Sequence, residues 1–315
     1  MTFLRISTNY SLIRSLSDIK TAQNNYLALQ EKMTTGAEIN KPQDDPVGIQ
    51  QVLNYTTRID ANEQYQRNID YSMGYQKVAS TTLQSIEDLL TDLKLLSQNY
   101  QTTVATSAER SSVGATVESM LEELVQMANT KYVGKFIFGG TSTISGTCPD
   151  SKPFNITEDS NGYITAVTRN SKGIDDLIYR EVREGHLKAI NISGSAPFMP
   201  NGEGGSGDIF QTVMGLRDHL LTNDSSLIEN DIRLLQEGID QVMQQEIGLG
   251  VKEGSLQIIR DQLTNENINN KDMRSQINDV DYAALMIEFN TAEVLLQTTL
   301  QSAAQLMQFS LVNFL

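Results

Sequence analysis

The chain has 315 residues, of which 39 are acidic and 24 basic, so its net charge is -15 at pH 7. This charge opposes binding to phosphate backbones or to anionic lipids, which argues against a nucleic-acid or membrane-surface partner. No apolar run approaches the roughly 18 residues of a membrane span, and Met1 to Arg14 lacks the pattern of a cleaved Sec signal. These features alone indicate a cytosolic protein.

Both ends of the chain carry an apolar stripe at helical spacing. The N-terminal stripe consists of Leu12, Leu16, Ile19, Ala22, Tyr26, Leu29 and Met33. The C-terminal stripe consists of Leu285, Phe289, Ala292, Leu296, Leu300, Ala303, Met307, Leu311 and Phe314. Steps of three and four place each set on one narrow side of a helix, which is typical of a coiled-coil seam. We therefore predict a mainly α fold whose core is a long helical hairpin, or coiled coil, of the two ends.

The apolar residues off the seam indicate a further partner. Val294, Leu295, Leu306 and Val312 would remain exposed in a two-helix hairpin, and neighbouring subunits could cover them. We predict an inter-subunit seam formed by Leu12, Leu16, Ile19, Tyr26, Leu29, Leu285, Phe289, Leu296, Leu300, Met307, Leu311 and Phe314. As a hypothesis, both ends are largely disordered in the free monomer and fold on assembly. Amide-exchange protection in the monomer equal to that of the central helices would contradict this hypothesis.

The middle of the chain differs from its flanks in composition. Residues 141–207 contain four of the six prolines and nine of the 21 glycines, which favours turns over long helices. Asn161-Gly162 lies between two short apolar runs, and we predict a tight hairpin there with both turn residues at positive φ. A second hairpin is predicted around Gly185. The segment is therefore predicted to be a small β-rich insert that faces outward.

The flanks are predicted to be helical. The first helix is expected to stop near Gly36, and the chain restarts at Asp45 and Pro46, a capping carboxylate followed by a proline at the first helical position. Glycines 248, 250 and 254 predict a kink or break in the long helix after the insert. The predicted domains are a terminal coiled-coil domain (1–40 plus 277–315), a central helical domain (41–140 plus 208–276) and the insert (141–207).

The sequence offers little chemistry, and we predict no catalytic, cofactor or metal site. His186 and His219 are the two histidines, too few for a histidine metal site. Cys148 has no evident activating base and cannot form an internal disulfide. Asp279-Val280-Asp281-Tyr282 leaves two interpretations open, since it could cap the last helix or form an acidic joint at the foot of the coiled coil.

Short motifs at both ends carry a family resemblance. They are Leu4-Arg5-Ile6-Ser7-Thr8, Met33-Thr34-Thr35-Gly36, Ile39-Asn40-Lys41-Pro42, Asp44-Asp45-Pro46 and Ser310-Leu311-Val312-Asn313-Phe314-Leu315. In this order and at these positions they resemble the bacterial flagellin superfamily, and within it the group that joins the hook to the filament. The resemblance covers roughly residues 1 to 140 and 208 to 315. It implies a non-enzymatic structural subunit of the flagellum, exported by the flagellar type III apparatus without a cleaved signal peptide.

The resemblance also implies partners. These are neighbouring copies of the chain at the sides, hook-associated protein 1 (FlgK) and flagellin as axial neighbours, and the export chaperone FlgN on the tail from Ile277 to Leu315. Flagellin itself is the closest alternative, because Asn9 to Leu12 also looks flagellin-like. Residues 44–48 read Asp-Asp-Pro-Val-Gly where flagellins usually have Asp-Asp-Ala-Ala-Gly, which favours the junction group. A secreted enzyme or an adhesin on a flagellin frame is a more distant alternative.

Overall fold

A computed structural model describes residues 2–101, 106–142, 152–222 and 224–312 of the chain. Of residues 2–9, 11, 12, 101, 107, 225 and 306–312 it describes the backbone alone. Cys148 lies outside the described residues. None of the described helices combines the length and the apolarity that crossing a bilayer requires.

The described residues form six helices and six short strands. In chain order these are α1 (Thr2–Thr35), α2 (Pro46–Gln101), α3 (Ser107–Ala128), β1 (Lys131–Tyr132), β2 (Lys135–Phe136), β3 (Phe154–Glu158), β4 (Ile164–Arg169), β5 (Tyr179–Arg183), β6 (His186–Ala189), α4 (Ile209–Thr222), α5 (Ser225–Asn278) and α6 (Tyr282–Val312). The strands pair in three antiparallel hairpins, β1 with β2, β3 with β4 and β5 with β6. The predicted mainly α fold with a small β-containing insert is confirmed.

The chain divides into two compact units. The terminal unit contains Met1–Ala61 and Thr264–Leu315, and the central unit contains Asn62–Leu263. In the terminal unit α1 and α6 pack antiparallel, because Tyr26 lies against Phe289 and the ends near Ala37 and Asp279 form a β-bridge. The three-part division predicted from composition stays a prediction.

The insert and the helices of the central unit share one core. Four phenylalanines from different segments meet in it: Phe138, Phe154, Phe198 and Phe210. The ring of Phe198 lies 5.1 Å from Phe138, 5.0 Å from Phe154 and 5.5 Å from Phe210, measured between ring centroids. Such buried aromatic contacts supply both apolar area and a preferred geometry. The β hairpins are therefore held by the helical core rather than by a core of their own.

The β3–β4 connection differs from the predicted tight turn. Gly162 has φ of +84°, but Asn161 does not share the positive φ that a two-residue turn would demand. Instead the Asp159 carboxylate accepts hydrogen bonds from the backbone N–H of Asn161 at 2.8 Å and of Tyr163 at 2.9 Å. An aspartate that binds the backbone two residues ahead stabilises a longer loop, so the prediction of two turn residues at positive φ was wrong.

Helix α5 continues through the three glycines where a break was predicted. Gly248, Gly250 and Gly254 all lie inside its span, so the predicted break was wrong, and a kink there stays a prediction. Leu249 and Leu256 on the same helix are buried, with 1% and 2% of their surface exposed. Tertiary packing of such a face outweighs the loss of about 1 kcal/mol that each glycine imposes on helix propensity.

A buried ion pair ties the insert to two helices. Glu118 of α3 accepts a hydrogen bond from Arg217 of α4 at 2.6 Å and another from the backbone N–H of Ile164 in β4 at 2.5 Å. The Arg217 guanidinium also donates to the Ile164 carbonyl at 2.9 Å. Both charged side chains are more than nine-tenths buried. This network fixes strand β4 against α3 and α4.

We predict that Arg217→Met destabilises the central unit by about 3–5 kcal/mol, because it leaves the Glu118 carboxylate buried without its counter-charge. Urea unfolding followed by circular dichroism would measure the loss. The matched control is Arg233→Met, which removes an exposed pair with Glu237 and should cost less than about 1 kcal/mol. Similar losses in both variants would show that the buried network is not a principal anchor.

Candidate assembly surface

The predicted seam lies between α1 and α6 of the same chain. Its buried member is Leu285, and beside it lie the alanines of the two apolar stripes, Ala22, Ala292 and Ala303, all four residues being less than a tenth exposed. Half-buried members are Ile19, Tyr26, Leu29, Phe289 and Leu296. The Tyr26 and Phe289 rings lie 5.0 Å apart between centroids. This part of the stripe therefore has a partner within the chain, and its predicted role between subunits stays a prediction.

The ends of the seam are more open. Leu16 is 50% exposed and Leu300 is 48% exposed. The side chains of Leu12, Met307 and Leu311, and the whole of Phe314, lie outside what the structure describes. The contact between α1 and α6 thus buries small and aromatic side chains near Ala22 and Ala292, and leaves leucines further along without full cover.

Helix α6 also carries an uncovered apolar face, which we call the α6 outer face and define by Ile287 and Val294. These residues are seven positions apart, so they lie on one side of the helix, roughly opposite Leu285 and Ala292. Ile287 is 69% exposed and Val294 is 62% exposed. Sequence reasoning noted Val294 but missed Ile287, although the spacing of seven between them was a readable signal.

Helix α1 carries exposed apolar residues as well. They are Tyr10, Ile13, Leu16 and Leu27, each at least half exposed. A groove of about 580 Å³ runs between α1 and α6. Its lining residues are Arg14, Ser15, Asp18, Thr21, Ala22 and Asn25 of α1 and Leu295, Thr298, Thr299 and Ser302 of α6. Exposed apolar surface of this extent on a helix pair is typical of a protein interface.

The two connectors at the base of the helix pair bind each other. The backbone N–H of Val280 donates to the Gly36 carbonyl at 3.3 Å, and that of Glu38 donates to the Asn278 carbonyl at 2.6 Å. The Asn278 side chain accepts a further bond from the N–H of Ile39 at 3.2 Å. These bonds join the segment after α1 to the segment before α6, so they set the position at which the two helices start to pair.

Carboxylates cap the helices that leave these connectors. The Asp45 side chain accepts a bond from the N–H of Val47 at 3.0 Å, and α2 begins at Pro46. The Asp281 side chain accepts bonds from Ala283 at 2.9 Å and from Ala284 at 3.3 Å, at the start of α6. Of the two interpretations of residues 279–282, the capping role of Asp281 is confirmed.

The remaining polar candidates form no constellation for chemistry. His219 lies 2.5 Å from the carboxylate of Asp231, measured between Nδ1 and Oδ2. Burial raises the pKa of Asp231, and the hydrogen bond from His219 opposes that rise. His186 is exposed at the start of β6. Within the described residues no group of three His, Cys, Asp or Glu side chains could hold a metal ion.

We predict that Gly36→Ala weakens the connector pair by about 1–2 kcal/mol, since Gly36 has φ of +70° and an L side chain is strained there. Its Cβ would also lie 2.7 Å from the Tyr282 hydroxyl oxygen. Thermal unfolding would measure the loss. The control is Gly250→Ala, whose Cβ would meet nothing within 4 Å and which should gain up to about 1 kcal/mol in helix propensity. Equal effects of the two changes would contradict the strain at Gly36.

Profiles of known protein families match both ends of the chain, and both profiles describe the same family. The profile of the bacterial flagellin N-terminal helical region matches residues 6–143, and that of the C-terminal helical region matches residues 232–315. Together these two matches cover more than two thirds of the chain. They contain α1 from residue 6 onward, all of α6 and both connectors, so the candidate assembly surface lies inside the matched regions.

Three individual proteins illustrate the likeness. The chain is 21% identical to flagellar hook-associated protein 3 of Salmonella typhimurium, over 98% of each chain. It is 22% identical to flagellin B of Vibrio anguillarum, over 97% of each chain. The crystal structure of flagellar hook associated protein-3 from Legionella pneumophila matches with a TM-score of 0.58 at 12% identity, covering 72% of this chain and 98% of that one.

The terminal motifs, the two profile matches and the shared fold agree, and the resemblance seen in the sequence is confirmed. The chain belongs to the bacterial flagellin superfamily and is of its hook-associated protein 3 (FlgL) type.

Proposed function

We propose that this chain is a non-enzymatic structural subunit of the bacterial flagellum that forms the hook–filament junction. The observation that carries the proposal is the α6 outer face, a second apolar side on a helix whose first side already packs on α1. Burying a side chain such as Ile287 or Val294 contributes roughly 1.5–3 kcal/mol. A surface of this kind, on a member of a flagellar family, is best used by contact with neighbouring subunits.

The partners follow from the position of such a subunit. Copies of this chain pack side by side, and the terminal helices α1 and α6 form the wall of a tube. Hook-associated protein 1 (FlgK) is the proposed neighbour on the hook side and flagellin on the filament side. The names of the relatives support a flagellar setting for all of these contacts.

Export requires the same helices to be soluble before assembly. We propose that the chain leaves through the flagellar type III route without a cleaved signal, and that the chaperone FlgN covers the tail from Ile277 to Leu315 beforehand. The exposed apolar residues of α6 supply the physical reason, because an uncovered face of this kind invites aggregation. The hypothesis that both ends fold only on assembly belongs to this proposal.

Deletion of the coding sequence tests the junction role. We expect hooks to remain in place while unpolymerised flagellin accumulates in the medium, because the filament would have no surface on which to start. Electron microscopy of the cells and immunoblotting of the medium would measure both outcomes. Hooks that carry filaments of normal length would refute the junction role. Hooks without filaments and a medium without flagellin would identify the deleted chain as flagellin itself.

The α6 outer face has its own test. We expect Ile287→Asp with Val294→Asp to leave the helical content and the secretion of the chain unchanged, because both residues are exposed in the monomer. Assembly at the hook should fail, since two carboxylates would have to be buried at the interface. Circular dichroism, immunoblotting of the medium and labelling of isolated hooks would measure these three properties.

A matched control separates charge from lost apolar surface. Asn290→Asp with Gln297→Asp adds the same two charges at the same spacing of seven on exposed positions of α6, and keeps Ile287 and Val294. This variant should assemble at the hook to a larger extent than the first. If both variants assemble like the parent chain, the α6 outer face is not an interface.

A further inference from the structure

The hairpin between β1 and β2 presents one strained apolar side chain to solvent. Its two-residue loop is Val133-Gly134, with φ of +49° and +75°. A loop with both residues at positive φ favours Asn-Gly, and a β-branched residue there is an outlier. Val133 is the one non-glycine residue with positive φ among those that the structure describes. Val133 is 73% exposed, so burial among the described residues does not explain why this strain is kept.

The base of this hairpin is rigid. The Tyr132 ring lies edge-on to Tyr71 and to Tyr75 of α2, with centroids 5.7 Å and 6.2 Å away. Tyr132 also lies so close to Gly74 that a Cβ there would be 2.4 Å from its hydroxyl oxygen. Val133 therefore lies at the tip of a hairpin whose base packs on α2. We call Val133 and its flanking Lys131 and Lys135 the hairpin knob.

Helix α5 of the same unit carries an apolar face without a partner. Met243, Ile247, Val251 and Ile258 recur at helical spacing and are 40%, 63%, 70% and 61% exposed. Gly254 lies between Val251 and Ile258, and a Cβ on it would meet nothing within 4 Å. The face therefore has no side chain at Gly254, between two exposed aliphatic residues, and we call this gap the Gly254 hollow. We call these residues the α5 stripe.

The charges of the two features are opposite. Lys135 beside Val133 is exposed, and Lys131 is exposed on the other face of the hairpin, where its ammonium lies 4.5 Å from the Phe136 ring centroid. Asp261 is exposed three residues beyond Ile258, so it lies beside that residue, and its carboxylate accepts a hydrogen bond from Gln257 at 2.9 Å. The basic residues of α5 near the hollow are engaged elsewhere. Lys252 donates to the Asn191 carbonyl at 2.8 Å, and Arg260 pairs with Asp70 at 3.0 Å.

The knob and the stripe also lie at the same level of the central unit. Helices α2 and α5 are antiparallel there, because Asp70 pairs with Arg260 at 3.0 Å and Ser80 bonds to Glu246 at 3.3 Å. Tyr132 sits at Gly74, between these two contacts. Val251 and Gly254 lie between the same two contacts on α5. A second copy displaced sideways would therefore bring its knob to the stripe of the first.

We propose that Val133 of one copy packs into the Gly254 hollow on α5 of the next copy, with Lys135 facing Asp261. The inference rests on the lateral assembly proposed above and assigns residues to it. Because knob and stripe are different surfaces, the contact is heterologous and passes from copy to copy around a closed ring or along a helix. It differs from the α6 outer face in belonging to the central unit.

Cysteine cross-linking in assembled flagella tests this contact. Cys148→Ser, Val133→Cys and Gly254→Cys are combined in one chain, so that the thiols sit at the two proposed partners. Mild oxidation of isolated hook ends should give a ladder of disulfide-linked dimers, trimers and longer species, because each copy offers one thiol in each direction. Absence of species larger than a dimer would overturn the proposal. The variants with Val133→Cys alone or Gly254→Cys alone should stay monomeric, and dimers from either would also overturn it.

Labelling of the same preparations separates the two proposals. If the chain is absent from hook ends, the junction function itself has failed. If it is present there at the parental amount and no ladder forms, the junction function stands and this contact is refuted. Reducing agent should return the ladder to monomer, which excludes other covalent links as its source.

A second pair of variants separates docking from folding. Val133→Asn restores the favoured Asn-Gly turn and Gly254→Leu fills the hollow with a better helix former, so each should raise the melting temperature of the monomer. Each should nevertheless lower the fraction of hooks that carry a filament. A raised melting temperature with filaments at the parental frequency would overturn the proposal, and so would a lowered melting temperature in both variants.

Discussion

The structure of the terminal unit depends on one constraint, the burial of the inner side of α6 against α1. The rings of Tyr26 and Phe289 pack against each other in this contact, and Ala22 and Ala292 let the helices approach closely. The connector bonds between Gly36 and Val280 fix where the pairing begins. Once α6 is held in this way, Ile287 and Val294 must point outward, because a helix cannot bury opposite sides against one partner. The apolar outer face is thus a consequence of the pairing.

In the central unit the main constraint is different, because its short hairpins could not fold alone and need the helices for stability. Isolated two-stranded hairpins are marginal in water. Here Phe154 and Phe198 enter the helical core, and Glu118 with Arg217 clamps the backbone of Ile164. A buried ion pair contributes little net free energy when complete, but it penalises any arrangement that separates its partners. It therefore specifies the position of the insert more than it stabilises it.

Periodicity and capping chemistry predicted much of this structure. The spacing of Leu285, Phe289 and Ala292 predicted the inner side of α6, and Asp281 was recognised as a candidate cap, because both signals are local. The shared phenylalanine core was not predictable, since Phe154 and Phe198 are far apart in sequence. The break predicted at Gly250 does not occur, because burial of Leu249 and Leu256 outweighs the low helix propensity of glycine. The α5 stripe and Val133 were missed because exposure, rather than residue type, distinguishes them.

Charge and assembly make opposing demands on this chain. A net charge of -15 keeps free copies apart, yet the proposed function requires them to touch. The Debye length at physiological ionic strength is about 8 Å, so the repulsion between distant carboxylates is largely screened. Charges in direct contact are screened much less. In the proposed contact, Lys135 at the hairpin tip would act on Asp261 at the range where an interface forms, while the acidic remainder discourages contacts elsewhere. Apolar surface then adds affinity at the places where the local charges permit approach.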